Sequence, residues 1–453
     1  MSRHLAGPPS GRAHLAGLRV DRLRSVRLLD GTLGDLPLAG GAATAGSTAP
    51  RTELDASGWR LLPAAAEPHA HLDKAFTADR LPPGGDDLES AVSRWRALTP
   101  SVSAADIRSR ATRAVGRYVA NGVTAIRTHV DLLADGDPLR GVDALVRLRD
   151  ELSGVVTIQV CVLAGPGADH GHLREAVDRG VDVIGGCPHL ADDPAAETAD
   201  LLDVAERTGL PVDLHTDEQT AAPRLDLVDL AQQVIARGLA QRVTASHCVR
   251  LGSLPSDRLR AVLELVGRAG IGLVTLPITN LYLQGRGPDE PRLRGMPPLR
   301  QILDAGIELA AGGDNVRDPF NPVGTADPFG TTALLMTAGH LGADEALTAV
   351  TSGARTVMGL SAAGPTDGAA ADLMLVPDVP VADVLAGAEV ARIVLRAGVV
   401  VADTRVSRDL ALADPGPAAH PDRFRRPFGH RSADRHLAPA PSPARQPIGR
   451  STS

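Results

Sequence analysis

Leu61-Leu62-Pro63-Ala64-Ala65-Ala66-Glu67-Pro68-His69-Ala70-His71-Leu72-Asp73-Lys74-Ala75-Phe76 runs from an apolar, strand-like segment into a His-x-His pair. Residues two apart on a strand point to the same face, so His69 and His71 can reach one point. Neutral imidazoles that share a point commonly share a metal ion. An isolated pair of this kind is equally at home as two surface histidines in a loop, and the rest of the chain decides between the readings.

The chain has 453 residues, 43% apolar and 22% charged, which suits one large globular domain with a smaller one beside it. Its net charge is −7 with no basic stripe, so a nucleic-acid partner is not suggested. Cys161, Cys187 and Cys248 stand far apart, which argues against a disulfide framework and against a Cys-x-x-Cys knuckle. A reducing cytoplasm fits. No apolar run reaches the length of a membrane span, and the first residues lack the apolar core of a signal peptide. Of the 47 Lys and Arg residues only Lys74 is lysine. A composition that replaces Lys by Arg everywhere else makes Lys74 a candidate for function, because a compact ammonium and a guanidinium fork are not interchangeable.

Residues 1–16 and 409–453 are rich in Gly, Pro, Ala or Arg without apolar periodicity and are expected to be disordered. Short apolar runs over 17–60 and 361–408 read as the two halves of a small β-sandwich formed from both chain ends. Between them, over 61–360, strand-like runs alternate with amphipathic helices. The runs are the segment before His69, then 123–130, 155–163, 181–184, 211–215, 243–247, 271–276 and 307–314. Eight such units predict an α/β fold, a (β/α)8 TIM-like barrel, with its active site at the carboxyl ends of the strands. His69, His71, His129, His189, His215, His247 and Asp314 all stand at or just past a strand end. His170, His172 and His340 fall on helix or loop sequence instead, where a structural or surface role is the better reading.

The ordered set Glu67–Asp73, Thr124–Asp131, Asp213-Leu-His-Thr-Asp-Glu218, Val243-Thr-Ala-Ser-His247, Asn280-Leu-Tyr-Leu-Gln-Gly-Arg286, Gly313-Asp-Asn-Val-Arg-Asp-Pro319 and Pro322-Val-Gly-Thr325 resembles the cytosine deaminase branch of the amidohydrolase superfamily. The resemblance runs from about residue 54 to 360. It implies that His69, His71, His215 and Asp314 hold one divalent ion, iron or zinc. It also implies that Asp314 takes a proton from water, that His247 orients the attacking oxygen, and that Glu218 carries a proton to a ring nitrogen and on to the leaving amine. Relatives with two metals bridge them with a carboxylated lysine after the fourth strand; here that strand ends Gly185-Gly186-Cys187-Pro188-His189, so one metal is expected. His129 and His189 have no ligand role in the resemblance and are read as hydrogen-bonding support. Asn280, Gln284, Arg317 and Phe320 lie on loops after the seventh and eighth strands and are candidate substrate contacts, as is Lys74.

Two departures from the family pattern stand out. The turn before His69 is Pro63-Ala64-Ala65-Ala66 rather than Pro-Gly, and Gly165 falls where the cytosine deaminases carry a glutamine that reads the pyrimidine edge. A glycine has no donor–acceptor pair to offer, so a heterocycle other than cytosine is expected. The implied function is a metal-dependent hydrolase of non-peptide carbon–nitrogen bonds, a deaminase of a cyclic amidine or heteroaromatic amine. Two other readings stay open: a hydrolase of a cyclic amide or N-alkylamino heterocycle, since Asp314-Asn315-Val316-Arg317 also resembles triazine N-alkylamine hydrolases, and a barrel that binds ligand without chemistry. Ammonia release separates the first two, and an intact ligand set speaks against the third. The expected partner is a small heterocyclic substrate, with neither nucleic acid nor membrane; a homo-oligomer is left open.

Overall fold

Runs such as Val123-Thr-Ala-Ile126 and Val243-Thr-Ala-Ser246 combine β-branched and small residues, which suits strands covered on both faces. In the computed structural model, which describes residues 3–4, 15–39, 41–43, 52–220, 224–286, 295–387 and 391–406, eight such runs form one parallel sheet. They are β1 (Ala65–Ala70), β2 (Val123–Asp131), β3 (Thr157–Ala164), β4 (Val183–Gly186), β5 (Val212–Thr216), β6 (Val243–His247), β7 (Gly272–Thr275) and β8 (Leu309–Ala311). Each pairs with the next. The sheet comes round to itself just past β1 and β8, where Asp314 N donates to His69 O at 3.1 Å and His71 N donates to Asp314 O at 3.2 Å. That junction makes neighbours of residues some 240 positions apart in sequence.

The helices between strands bury one stripe each. In Ala104–Ala120 the buried residues Ile107, Ala111, Ala114, Val115 and Tyr118 recur at helical spacing, and Ser103 caps the start by accepting from Asp106 N. Pro194–Thr208 begins with proline in its first turn and ends at Gly209, whose φ of 75° is the left-handed conformation that closes a helix. Burial of these stripes against the barrel gives one large apolar core, which includes Ile126, Val160, Ile184, Leu214 and Leu273. A buried Leu or Ile side chain contributes about 2 kcal/mol relative to an exposed one.

Both chain ends meet in a second, mixed sheet, with nine strands among the described residues. It includes Arg22–Arg27, Leu33–Ala39 and Trp59–Pro63 from the first part of the chain and Leu373–Pro377, Arg392–Arg396 and Val399–Thr404 from the last. Leu23, Leu54, Leu61, Leu373, Ile393 and Leu395 form its apolar core. The run Leu61–Ala66, read above as one strand leading into His69, is two. Trp59–Pro63 pairs antiparallel with Leu373–Pro377, whereas Ala65 opens the barrel by donating to Gly122 O. Pro63 has no N–H to continue a ladder, and Ala64 N crosses over on Asp372 O. The tail expected over 409–453, and most of that over 1–16, lies outside the described residues.

Candidate metal and catalytic centre

His69 lies in β1 and His71 just past it, His215 lies in β5 and Asp314 just past β8, all with their side chains buried. Nε2 of His215 stands 3.1 Å from Nε2 of His69 and 3.3 Å from Nε2 of His71. Oδ1 of Asp314 stands 3.3 Å from His71 Nε2 and 3.8 Å from His69 Nε2. Four ligand atoms set tetrahedrally about 2.1 Å from an ion would be about 3.4 Å from one another; these four separations lie close to that value, and the ligand atoms of His69, His71 and Asp314 all lie within 4.8 Å of one another. Burial first, and the neighbouring imidazoles and Lys74 second, hold all three histidines well below the ordinary histidine pKa, which leaves them in the neutral, ligating form. Asp314 Oδ1 is buried and accepts no hydrogen bond among the described residues. An orphaned carboxylate oxygen facing the neutral imidazoles of His69 and His71 is a cation-binding arrangement.

His129 packs flat on this group, its ring centroid 3.9 Å from that of His69. The hydrogen bonds expected of it are absent among the described residues, since neither ring nitrogen has a partner; Nε2 comes no closer to Asp213 Oδ2 than 3.7 Å. Nitrogens of His69, His129 and His215 also come within 4.8 Å of one another. His129 thus stacks on His69 beside the candidate ligand atoms.

Beside the cage, Glu218 sits between two histidines: its Oε1 is 3.7 Å from His247 Nδ1 and its Oε2 is 3.5 Å from His189 Nε2. Burial opposes its charge, but His247 and His189 outweigh burial and lower its pKa. His189 is the counterpart: burial lowers its pKa, Glu218 raises it, and the net direction is up. Its other nitrogen, Nδ1, lies 3.1 Å from the carbonyl of His215. Asn280 Nδ2 lies 3.0 Å from His247 Nδ1. An amide N–H donates, so His247 accepts there and its buried Nε2 carries the proton, with no partner among the described residues. His247 and Asp314 both leave their strands in the left-handed region, at φ 71° and 64°, and strained backbone of this kind collects at functional sites.

A cavity of about 540 Å³ opens over these groups. His71, His215, Glu218, His247 and Asp314 line its floor, and Lys74, Trp95, Asp131, Gly165 and Phe320 line its walls. The candidate substrate contacts divide accordingly. Gly165 and Phe320 face the cavity; a Cβ on Gly165 would meet nothing within 4 Å. Asn280 and Gln284 are not on the wall: Asn280 holds His247, and Gln284 Nε2 donates to the carbonyl of Glu218 at 2.7 Å. Arg317 is off the wall too, paired with Asp79 at 2.9 Å. Lys74 lines the wall, but its three donors already face Asp131 Oδ1 at 3.0 Å, His71 Nδ1 at 3.2 Å and Asp73 Oδ2 at 3.4 Å. His172 lines the outer cavity and His340 is exposed; the side chain of His170 lies outside what is described. Sequence reasoning missed Trp95, whose Nε1 donates to Asp131 Oδ2 at 2.6 Å. It comes from the helix Leu88–Leu98, inserted between β1 and the helix preceding β2, and no spacing rule ties that insertion to the strand ends.

The profile of the amidohydrolase family matches residues 88–402. A pterin deaminase of Rhizobium rhizogenes is 30% identical over 382 residues, covering 82% of this chain and 86% of that protein. An N-isopropylammelide isopropyl amidohydrolase of a Pseudomonas species is 26% identical over 289 residues, covering 61% of this chain and 68% of that one. Among solved structures, a 5-methylcytosine deaminase from Klebsiella pneumoniae, liganded with 5-fluorocytosine, superposes with a TM-score of 0.78 at 27% identity, covering 86% of this chain and 99% of that chain.

Proposed function

The chain belongs to the amidohydrolase family, and from that premise we propose that it is a metal-dependent deaminase of an amino-substituted heterocycle larger than cytosine, of the fused two-ring kind. The observation that carries this reading is Glu218, an ionised carboxylate facing the cavity between His247 and His189, next to four converging ligand atoms. In a deaminase that carboxylate would carry protons between water and the ring. The cavity volume and the open space at Gly165 support the larger ring, as does the pterin deaminase relative.

His69, His71, His215 and Asp314 would hold one ion, iron or zinc; such an ion lowers the pKa of a bound water to about 7 and so supplies hydroxide at neutral pH. The protein groups supply the rest. Asp314, whose Oδ1 lies 3.3 Å from His71 Nε2, would stand beside the ion and accept a proton that the attacking water loses. His247 presents Nε2–H toward the oxygen that becomes bonded to the ring carbon. Glu218 receives the first proton that water loses and delivers it to the adjacent ring nitrogen; the second, taken from the new hydroxyl by Asp314, reaches the exocyclic amine, the carbon–nitrogen bond breaks and ammonia leaves. His189 keeps Glu218 aimed and charged between turnovers. Asn280 and Gln284 act through His247 and Glu218. The three cysteines are free, in keeping with a cytoplasmic enzyme whose partner is the small-molecule substrate.

The test is ammonia release from zinc- or iron-loaded protein offered pterin, cytosine, 5-methylcytosine and N-isopropylammelide. Pterin is expected to exceed cytosine in kcat/KM by at least tenfold. Release of isopropylamine with no ammonia from any amine would overturn the deaminase reading.

A further inference from the structure

Directly beneath the cage the barrel interior contains an ion pair with no access to water. Arg127 Nη1 donates to Asp213 Oδ2 at 2.9 Å, with side chains 1% and 0% exposed. Gln159 Oε1 accepts from Arg127 Nε at 3.0 Å and Thr244 Oγ1 from Nη1 at 3.4 Å. Two buried charges are costly to desolvate and are rarely retained for stability alone. None of these groups reaches the cavity.

The other oxygen of Asp213 shows what the pair is for. Asp213 Oδ1 accepts the hydroxyl proton of Ser246 at 2.8 Å. A hydroxyl has one proton and two lone pairs, so Ser246 Oγ has only lone pairs left for His69 Nδ1, 3.0 Å away. His69 must therefore carry its proton on Nδ1. Its Nε2 lone pair is then directed at His215 Nε2 and Asp314 Oδ1, at 3.1 and 3.8 Å. We propose that Arg127, Asp213 and Ser246 are positioning residues: a one-way hydrogen-bond relay, drawn from β2, β5 and β6, that sets the tautomer and the ring orientation of His69 on β1 for metal binding. The proposal rests on the four-ligand cage described above.

The relay has a direction, and the direction is testable. Ser246→Ala removes the acceptor at His69 Nδ1. Asp213→Asn does more, because Arg127 claims the amide oxygen and the amide N–H₂ then donates to Ser246. Ser246 in turn donates to His69 Nδ1, which drives the imidazole proton onto Nε2. Zinc affinity of the full chain, measured by competition with a chromogenic chelator, should fall about 10- to 100-fold in Ser246→Ala and further in Asp213→Asn. In the double variant the extra loss due to Asp213→Asn should vanish, since the hydroxyl that transmits it is gone. Nitrogen-15 histidine spectra of the metal-free parent should show His69 protonated at Nδ1. The relay is overturned if Ser246→Ala binds zinc within twofold of the parent, if His69 carries its proton on Nε2, or if Asp213→Asn costs the same with and without Ser246. A parent chain that takes up no zinc overturns the cage, and the relay with it. Should Asp213→Asn fail to fold, the Ser246→Ala affinity and the spectra decide.

Discussion

Lys74 and Asp131 face each other across 3.0 Å on the cavity wall, and the same ammonium reaches Asp73 and His71. Trp95 and Phe320 stand on either side, with ring centroids 5.5 and 5.9 Å from Nζ. Burial works against this charge, yet Asp131 and Asp73 overcome it and raise the pKa of the amine. The pocket around Lys74 fits a compact ammonium with three donors. A planar guanidinium is longer and presents its donors in a fixed fork. We expect Lys74→Arg to lower kcat/KM at least tenfold, and Lys74→Met to lower the melting temperature as well, because the buried Asp73 and the half-buried Asp131 lose their counter-charge. Unchanged kinetics in Lys74→Arg would return this lysine to a compositional accident.

The four converging ligand atoms predict a stoichiometry. Purified protein should contain about one equivalent of zinc or iron by elemental analysis, and prolonged chelation should abolish turnover until metal is restored. His69→Ala and Asp314→Ala should each reduce activity by several orders of magnitude while leaving the far-ultraviolet circular dichroism unchanged, since both residues stand at the ends of strands, outside the packed layers. Two equivalents per chain, or full activity in either variant, would refute the single-ion centre.

How far the sequence could be read follows from what each feature depends on. The barrel was legible because a parallel strand buried on both faces leaves a local mark, a short apolar run that alternates with helical sequence, eight times over. The four candidate ligands could be picked out because they match the family pattern and sit at strand ends. The sheet change at Ala64–Ala65 was not, since it depends on which carbonyls, Asp372 and Gly122, come alongside. The placing of Arg317 depends on a distant partner in the same way: an arginine on a loop after the last strand reads as a substrate contact until Asp79 is seen to hold it. Asn280 reads as a substrate contact in the sequence, but whether its amide faces a substrate or His247 is decided by side-chain direction, which spacing does not encode.

A pH dependence follows from the loop after β8. Burial pushes the Asp318 carboxyl up from 3.8 to about 7, even though it accepts from Asn315 Nδ2, Phe320 N and Asn321 N and feels Lys74. The folded chain therefore keeps this proton at pH values where the unfolded chain has released it. Stability from this group is complete below about pH 4, declines as pH rises toward 7, and is level above. The slope is at most about 1.4 kcal/mol per pH unit. In Asp318→Asn that decline should be missing, so the parent-minus-variant difference in urea midpoint should shrink between pH 5 and pH 7. A difference that stays constant or grows over this range would contradict the assignment.

The sharpest prediction concerns Gly165. Its backbone φ lies outside the left-handed region reserved for glycine, and a Cβ there meets nothing within 4 Å, so a side chain can be added without strain. The wall at this position offers a substrate no paired donor and acceptor. A site that lacks such a pair leaves the polar edge of a small ring buried and unmatched, a defect worth orders of magnitude in kcat/KM when the site is otherwise built for that edge. Gly165→Gln should supply the pair and occupy part of the cavity. It should raise kcat/KM for cytosine and lower it for pterin, moving their ratio at least tenfold toward the smaller ring, while Gly165→Ala, which fills space without hydrogen bonding, should leave cytosine as poor a substrate as before. Parallel steady-state measurements on both substrates decide the matter. A parent enzyme that already turns over cytosine efficiently, or a substrate ratio that does not move in Gly165→Gln, would show that ring size is set elsewhere on the wall.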